Sequence, residues 1–189
     1  MTASAQYGRI SRPIGGPPPR VHPDSLIRVS KDGEVNPTVV AIHIAPATRL
    51  PMKAVDSVEA EAGVGLVGDR YHGAKHRHVT VQSATELAEA AVIHEAPIEY
   101  GATRRNITIS HGAVPTKPGD RLTVGPVLLE VVRIAAPCRL LDDVIGDGAR
   151  VALRRRAGTV CRLLSSGPIV IGDPVDLAVE PDQDDEAGR

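Results

Sequence analysis

The chain has 189 residues, of which 42% are hydrophobic and 24% charged, so its length and composition fit one globular domain with loose ends. It contains no Trp, no Phe and only three Tyr, which argues against nucleic-acid binding by base stacking and against a pocket with aromatic walls. A formal net charge of -1 argues against a general polyanion binder, although an acidic C-terminal stretch leaves the rest of the chain weakly basic.

The chain is expected to be a cytoplasmic protein with no membrane association. No stretch reaches the roughly 18 apolar residues needed to span a bilayer, and the first residues lack the apolar segment of a signal peptide. Cys138 and Cys161 are therefore expected to be reduced thiols, although two cysteines that lie close together could pair.

Composition divides the chain into three parts. Residues 1–37 are rich in Gly and Pro and lack a sustained period, so we expect a flexible or extended segment. A folded domain is expected over residues 38–180, followed by an acidic tail over 181–189. We expect both ends to be dispensable for folding.

Short apolar runs separated by turn formers predict strands along most of the folded part. They begin with TVVAIHI at Thr38 and continue with VDSVEAE, HVTVQS, RNITIS, DRLTVG, VLLEVVRI, TVCRLL and PVDLAV. Two helices interrupt these runs. The sequence therefore predicts a mostly β (α+β) fold, a mostly antiparallel barrel or folded sheet with peripheral helices and a core of Val, Leu, Ile and Ala.

The first predicted helix begins at Ser83, which forms the capping-box pattern S-x-x-E with Glu86, and it ends before Pro97. The second covers ARVALRRRAG and ends at Gly158. The basic run at its end is typical of a solvated helix terminus.

The segment GVGLVGD matches G-x-G-x-x-G, but no helix is predicted after it, so a dinucleotide fingerprint is excluded. Its glycines favour a tight loop whose backbone closely approaches a ligand or another segment of the chain.

Three histidines lie close together in YHGAKHRH, at His72, His76 and His78. No zinc-type spacing accompanies them, so polar loop residues or anion contacts are favoured over metal ligands. With Arg70, Lys75 and Arg77 nearby, the segment is either a cationic loop that holds a phosphate or a solvated loop.

Two further segments carry candidate chemistry. Arg104, Arg105 and Asn106 lead into a predicted strand and offer donors for phosphate or carboxylate and an amide for a heterocycle edge. Alternation places Ile107 and Ile109 on the strand face opposite to Asn106.

Cys138 follows the end of a predicted strand, with Arg133 and Arg139 close in sequence. Such cationic surroundings favour a thiolate, which can carry a persulfide or ligate a soft metal. Cys161, in contrast, lies within an apolar run and is expected to be a small core residue.

In chain order, the segments GVGLVGDRYHG, HRHVTVQS, RRNITIS, KPGDRLTVG, VLLEVVRIAAPCRLL and GPIVIGDPVDL resemble the MOSC domain, named after the C-terminal part of molybdenum cofactor sulfurase. The resemblance runs from about Val39 to Leu177 and keeps the order and spacing of the segments. It implies a β-rich, barrel-like domain and a role in molybdenum-cofactor chemistry.

The resemblance also implies roles for particular residues. Cys138 matches the cysteine that carries sulfur or binds molybdenum, and the RRN segment matches positions that hold the pterin in molybdenum-binding members. The residues expected to bind the cofactor are Arg70, Arg104, Arg105, Asn106 and Arg139. Which of the two adjacent arginines faces the site is left open.

Three functions remain after these observations. The first is a molybdenum-cofactor enzyme with Cys138 as metal ligand, reducing N-hydroxylated compounds. The second is a non-redox sulfur carrier, with a Cys138 persulfide used for metal-sulfur cluster assembly or cofactor sulfuration. The third is an anion-binding module for nucleotide or nucleic acid, against which the scarce aromatics and near-neutral charge weigh.

Partners are expected because the chain shows no pyridoxal-phosphate desulfurase domain, iron-sulfur motif or flavin domain. Sulfur is expected to come from a cysteine desulfurase, or electrons from an external donor. The enzyme hypothesis also implies a small-molecule substrate, and the protein is expected to be a monomer or a homodimer.

Overall fold

The computed structural model describes residues 35–179, so most of the predicted flexible segment 1–37 and the acidic tail 181–189 lie outside the described residues. The strands are β1 (Val39–Ile44), β2 (Lys53–Val55), β3 (Ser57–Glu61), β4 (Gly65–Leu66), β5 (Val79–Ser83), β6 (Ile107–Ile109), β7 (Arg121–Val124), β8 (Val127–Ile134), β9 (Thr159–Leu163), β10 (Gly167–Val170) and β11 (Val175–Val179). The helices are α1 (Ala84–His94), α2 (Arg139–Ile145), α3 (Ala149–Ala152) and a 3-10 helix (Tyr100–Thr103).

Eight strands form one curled sheet in the order β11-β7-β8-β9-β5-β6-β1-β2, and β10-β3-β4 form a smaller sheet. The large sheet forms a half-barrel, which confirms the predicted mostly β fold with peripheral helices. All neighbours in it are antiparallel except β5 and β6. Because a parallel pair needs a crossover connection, α1 and the 3-10 helix lie between these two strands in the chain.

Aliphatic side chains from both sheets form one core, as the scarcity of aromatic residues predicts. Its fully buried members include Ile42, Leu66, Ile107, Leu129, Leu163 and Ile169. Cys161 is 0% exposed in this core, and burial strongly raises the pKa of its thiol. The prediction that Cys161 is a core residue is therefore confirmed.

Helix α1 begins directly after Ser83, where the capping box predicts it. The Ser83 hydroxyl, however, lies 2.8 Å from the Thr85 hydroxyl and does not cap the backbone. The S-x-x-E pattern therefore predicts the start of the helix, although the Ser83 side chain makes no capping hydrogen bond to the helix backbone.

The second predicted helix, over ARVALRRRAG, is shorter than expected. The observed helix α3 ends at Ala152. Arg155 has a φ of +64°, and a Cβ at Gly158 would lie 2.0 Å from the Val81 carbonyl oxygen, so the chain must turn back closely onto β5. Helix α2 was not predicted at all.

The residues that precede β1 and β11 pair with each other, although these strands lie near opposite ends of the order in the large sheet. Thr38 and Pro174 form an antiparallel bridge, and the Val175 N–H donates to the Pro37 carbonyl at 2.7 Å. Pro37 is thus part of the hydrogen-bonded domain. Among residues 35–179, no helix is long and apolar enough to cross a membrane.

Candidate functional site

The loop after β4 is held by the buried carboxylate of Asp69. Its Oδ2 accepts hydrogen bonds from the Ala45 N–H and the Asn106 side-chain amide, both at 3.1 Å. Its Oδ1 accepts the Tyr71 N–H at 3.1 Å. Asp69 therefore ties the GDRY segment to the end of β1 and to the residue that precedes β6.

Gly65 accounts for part of the glycine pattern in this loop. It has a φ of +136°, and a Cβ there would lie 3.2 Å from the Cα of His72. The close approach at Gly65 is thus to the protein's own backbone.

Two arginines contact the ring of Tyr71. The guanidinium carbon of Arg77 lies 4.0 Å from the ring centroid and that of Arg70 lies 4.7 Å from it, which are cation–π distances. Arg70 also donates to the Arg104 carbonyl at 3.3 Å and lies 3.0 Å from the Met52 sulfur. The Nε of Arg77 is buried and finds no hydrogen-bond partner among the described residues.

The adjacent arginines before β6 point to different places. Arg105 is 5% exposed and donates to the carbonyls of Ala157 and Ala135 at 2.7 and 2.9 Å. Burial lowers its pKa to about 10. Arg104 has a φ of +63° and donates to the Leu50 carbonyl at 2.8 Å, and burial also lowers its pKa.

Asn106 is buried and its amide is fully used inside the protein. Its oxygen accepts from the N–H and hydroxyl of Thr80 at 3.1 and 2.8 Å, and its nitrogen donates to Asp69 and to the His43 carbonyl. A ligand would reach this amide only by displacing one of these bonds. Direct contact between Asn106 and a cofactor stays a prediction.

Cys138 is exposed and occupies the N-cap of α2, a few residues beyond the end of β8. Burial is the main cause that lowers the pKa values of Arg104 and Arg105, and attraction to Cys138 opposes part of that shift, so Cys138 lies near both arginines. Arg139, the first residue of α2, is exposed, whereas Arg105 is buried.

We define the arginine cluster as Arg70, Arg77, Arg104 and Arg105. Burial is the main cause that lowers the pKa of Arg77, Arg104 and Arg105, and like-charge repulsion among the cluster residues, which lie near one another, lowers these pKa values further. Asp69 is the carboxylate that attracts members of this cluster. The cluster is therefore strongly cationic and partly desolvated, which suits an anion such as a phosphate.

The histidines do not form a metal centre, and the described residues contain no group of three metal-ligating side chains. His72 lies 2.9 Å from Glu61 at the surface. His78 is buried, and its Nδ1 accepts the Leu163 N–H at 2.9 Å. His76 is exposed.

Tyr71 and Asp69 are site residues that sequence reasoning did not single out. Both flank Arg70 in the GDRY segment, residues 68–71, of which only the arginine was a predicted site residue. The sequence does contain a signal for Tyr71. It follows Arg70 directly, in a chain that has only three Tyr.

The chain matches the family model of the MOSC domain over residues 68–176. Among solved structures, the YuaD protein from Bacillus subtilis superimposes with a TM-score of 0.70 at 18% identity, over 77% of this chain and 98% of that one. YiiM from Geobacillus stearothermophilus gives a TM-score of 0.62 at 17% identity, over 78% of this chain and 77% of that one. A comparison with curated protein sequences gives no significant match.

Proposed function

Because the chain belongs to the MOSC domain family, which is related to the C-terminal domain of molybdenum cofactor sulfurase, we propose that it binds the molybdenum cofactor at the arginine cluster. Cys138 is the molybdenum ligand in this proposal, and the reaction is a reduction of N-hydroxylated compounds with electrons from an external donor.

The observation that carries the proposal is the concentration of guanidinium groups beside an exposed thiol. Arg77 and Arg105 are largely withdrawn from solvent, so their charges are weakly screened. The buried Nε–H of Arg77 has no partner among the described residues and is available as a donor. The pterin cofactor carries a phosphate, and guanidinium groups bind phosphate oxygens through several donors.

The residues of the site fall into two groups, those that would contact the cofactor and those that hold the other residues in position. Arg77 and Arg104 would hold its anionic part, with Arg70 behind them, since the Arg70 side chain lies 3.7 Å from Asp69 and donates to the Arg104 carbonyl. The Cys138 Sγ offers the soft ligand that molybdenum needs. Arg105 and Asn106 spend their donors on backbone carbonyls and Asp69, so they position the cluster from inside. When bound, the cofactor supplies an oxo-transfer centre that no side chain of this protein can replace.

The protein's own groups prepare the thiol for this role. Arg104 and Arg105 lie near enough to Cys138 to place positive charge beside the sulfur that would ligate the metal. The N-cap position leaves Cys138 exposed at the start of α2, where a substrate can approach it from solvent.

A second candidate function, a sulfur carrier, is favoured by the exposure of Cys138. The Cys138 thiolate would attack the outer sulfur of a persulfide on a cysteine desulfurase, forming a Cys138 persulfide and releasing the thiolate of the desulfurase. No electron donor is required for this transfer.

The deciding experiment is to purify the full chain from a molybdenum-replete host and measure molybdenum and pterin per chain. Cofactor binding predicts near-stoichiometric amounts of both, reduced at least tenfold by Arg77→Gln. Arg154→Gln is the control, since Arg154 is exposed and outside the cluster. Folded protein without metal or pterin would contradict cofactor binding, and one sulfur transferred to Cys138 by a desulfurase would then support the carrier.

A further inference from the structure

A groove of about 450 Å³ lies between the loop joining β1 to β2, the segment 99–104 and α2. Its lining includes Arg49, Pro51, Met52, Glu99, Ala102 and Val144. This volume is in the range of cavities that take small organic molecules.

The charge of the groove favours an anion. Arg49 and Arg104 line it, against the single carboxylate of Glu99 among its lining residues. His43 also lines the groove, and because burial lowers the pKa of its imidazole, it adds hydrogen-bonding capacity without charge at neutral pH. The lining thus carries a net positive charge.

The rest of the lining is apolar and leaves room. Pro51, Met52 and Val144 supply aliphatic surface, and Val144 is 50% exposed although it is a large hydrophobic residue. Ala54 and Ala102 are small, so the space in front of them stays open. Such a surface gains free energy when it covers the apolar part of a ligand.

One polar atom of a groove residue lacks a partner. The Nδ1 of His43 is buried and has no hydrogen bond within residues 35–179. The ring is held closely, because a Cβ at Gly101 would lie 2.9 Å from the Cδ2 of His43. An unsatisfied buried nitrogen in a native structure calls for an explanation, and a bound ligand is one.

Both groove arginines have strained backbones. Arg49 and Arg104 have φ values of +67° and +63°, in the left-handed region that residues other than glycine rarely adopt. Such strain clusters at ligand sites.

We infer that this groove binds a small organic anion with an apolar body, such as a medium-chain carboxylate. The carboxylate pairs with Arg49, the groove arginine that lies outside the arginine cluster, and the apolar body covers Met52, Pro51 and Val144. The binding does not rest on the proposed function, since it needs neither metal nor Cys138.

The test is titration calorimetry on the full chain with hexanoate as the probe. We expect one hexanoate per chain, with acetate and hexanol each binding at least tenfold more weakly because each lacks one of the two recognised features. Hexylamine should not bind detectably. Equal binding of hexylamine and hexanoate, or no binding of hexanoate, would overturn the inference.

Variants locate the binding. Arg49→Gln should weaken hexanoate binding at least fivefold, and Ala102→Leu should abolish it by filling the groove. Ala54→Leu, on the exposed strand β2, fills the same space if Ala102→Leu does not fold. Ala88→Leu, on the exposed surface of α1, is the matched control and should bind normally. Unchanged binding in a folded groove-filling variant would refute the site.

The metal content of the same samples separates this inference from the proposed function. Ala54→Leu should retain the molybdenum and pterin of the unmodified chain while losing hexanoate. An unmodified chain that binds hexanoate but contains neither molybdenum nor pterin would count against the proposed function alone.

Discussion

The side-chain amide nitrogen of Asn106 lies 3.1 Å from the Oδ2 of Asp69, in the interior of the domain. This bond joins the loop that carries Arg70 to the segment that carries Arg104 and Arg105. The geometry of the arginine cluster therefore depends on a neutral amide facing a buried carboxylate.

Asn106→Asp should destabilise the protein by about 3 kcal/mol at pH 7, because two buried carboxylates would then face each other without a proton between them. Urea unfolding at pH 7 and pH 5 measures the effect. The loss should shrink at pH 5, where one carboxyl of the pair takes up a proton. Equal stability of variant and unmodified chain at pH 7 would show that the bond is dispensable.

Tyr71→Leu should cost about 1–2 kcal/mol of stability, since both cation–π contacts are lost, and should reduce pterin retention. Tyr71→Phe keeps the ring and should stay within about 0.5 kcal/mol of the unmodified chain, with normal retention. Thermal unfolding and pterin analysis check both. A similar loss in Tyr71→Phe would assign the role to the phenol hydroxyl instead.

The two cysteines should respond in opposite ways. Cys138→Ala should abolish metal or sulfur loading and leave stability nearly unchanged, because its side chain is exposed. Cys161→Ala should lower stability by about 1–2 kcal/mol through a small core cavity and leave loading intact. Mass spectrometry and metal analysis measure the loading. Loss of loading in Cys161→Ala alone would refute the assignment of Cys138.

Glu86 should make stability fall as the pH rises. Burial, followed by repulsion from Glu89, raises its pKa from 4.5 to about 7, and its Oε2 has no partner among the described residues. A carboxyl whose folded pKa lies above its unfolded value stabilises the fold below pH 4.5, and this contribution is lost as the pH rises through 7. Since Glu86 is only half-buried, the loss should be about 1–2 kcal/mol.

Glu86→Gln removes the ionisation and should raise the melting temperature at pH 8 but not at pH 5. Glu59→Gln is the comparison, because Glu59 is an exposed carboxylate on β3, outside α1. An equal gain at both pH values would mean that ionisation of Glu86 is not the cause.

The strands could be predicted because their signals are local. β8 has the predicted bounds Val127–Ile134, and the facing of Ile107 and Ile109 into the core follows from alternation along β6. Helix α2 was not predicted because RLLDDVI is too short to show a clear helical period. The helix is stabilised instead by tertiary packing, since Leu141 packs into a cluster with residues of α1 and α3.

The orientation of the adjacent arginines could not be predicted for a different reason. Arg105 turns inward because the carbonyls of Ala157 and Ala135 accept its donors, and these lie 52 and 30 residues away in the chain. Alternation along a strand predicts that neighbouring side chains face opposite ways. It does not predict which of the two arginines faces carbonyl groups that can accept its hydrogen bonds. The Arg70 side chain donates to the Arg104 carbonyl at 3.3 Å, which joins the loop after β4 to the segment before β6.

The antiparallel bridge between Thr38 and Pro174 and the bond from the Val175 N–H to the Pro37 carbonyl place the entering segment beside β11, the strand at which the described domain ends. A domain whose two ends lie close together can be inserted into a loop of another protein without distorting either protein. It can also be circularly permuted: a short linker from Val179 to Val35 would close the old ends, and new ends could open at the exposed turn before Asp120. The arginine cluster would then keep its geometry while its segments change order in the chain.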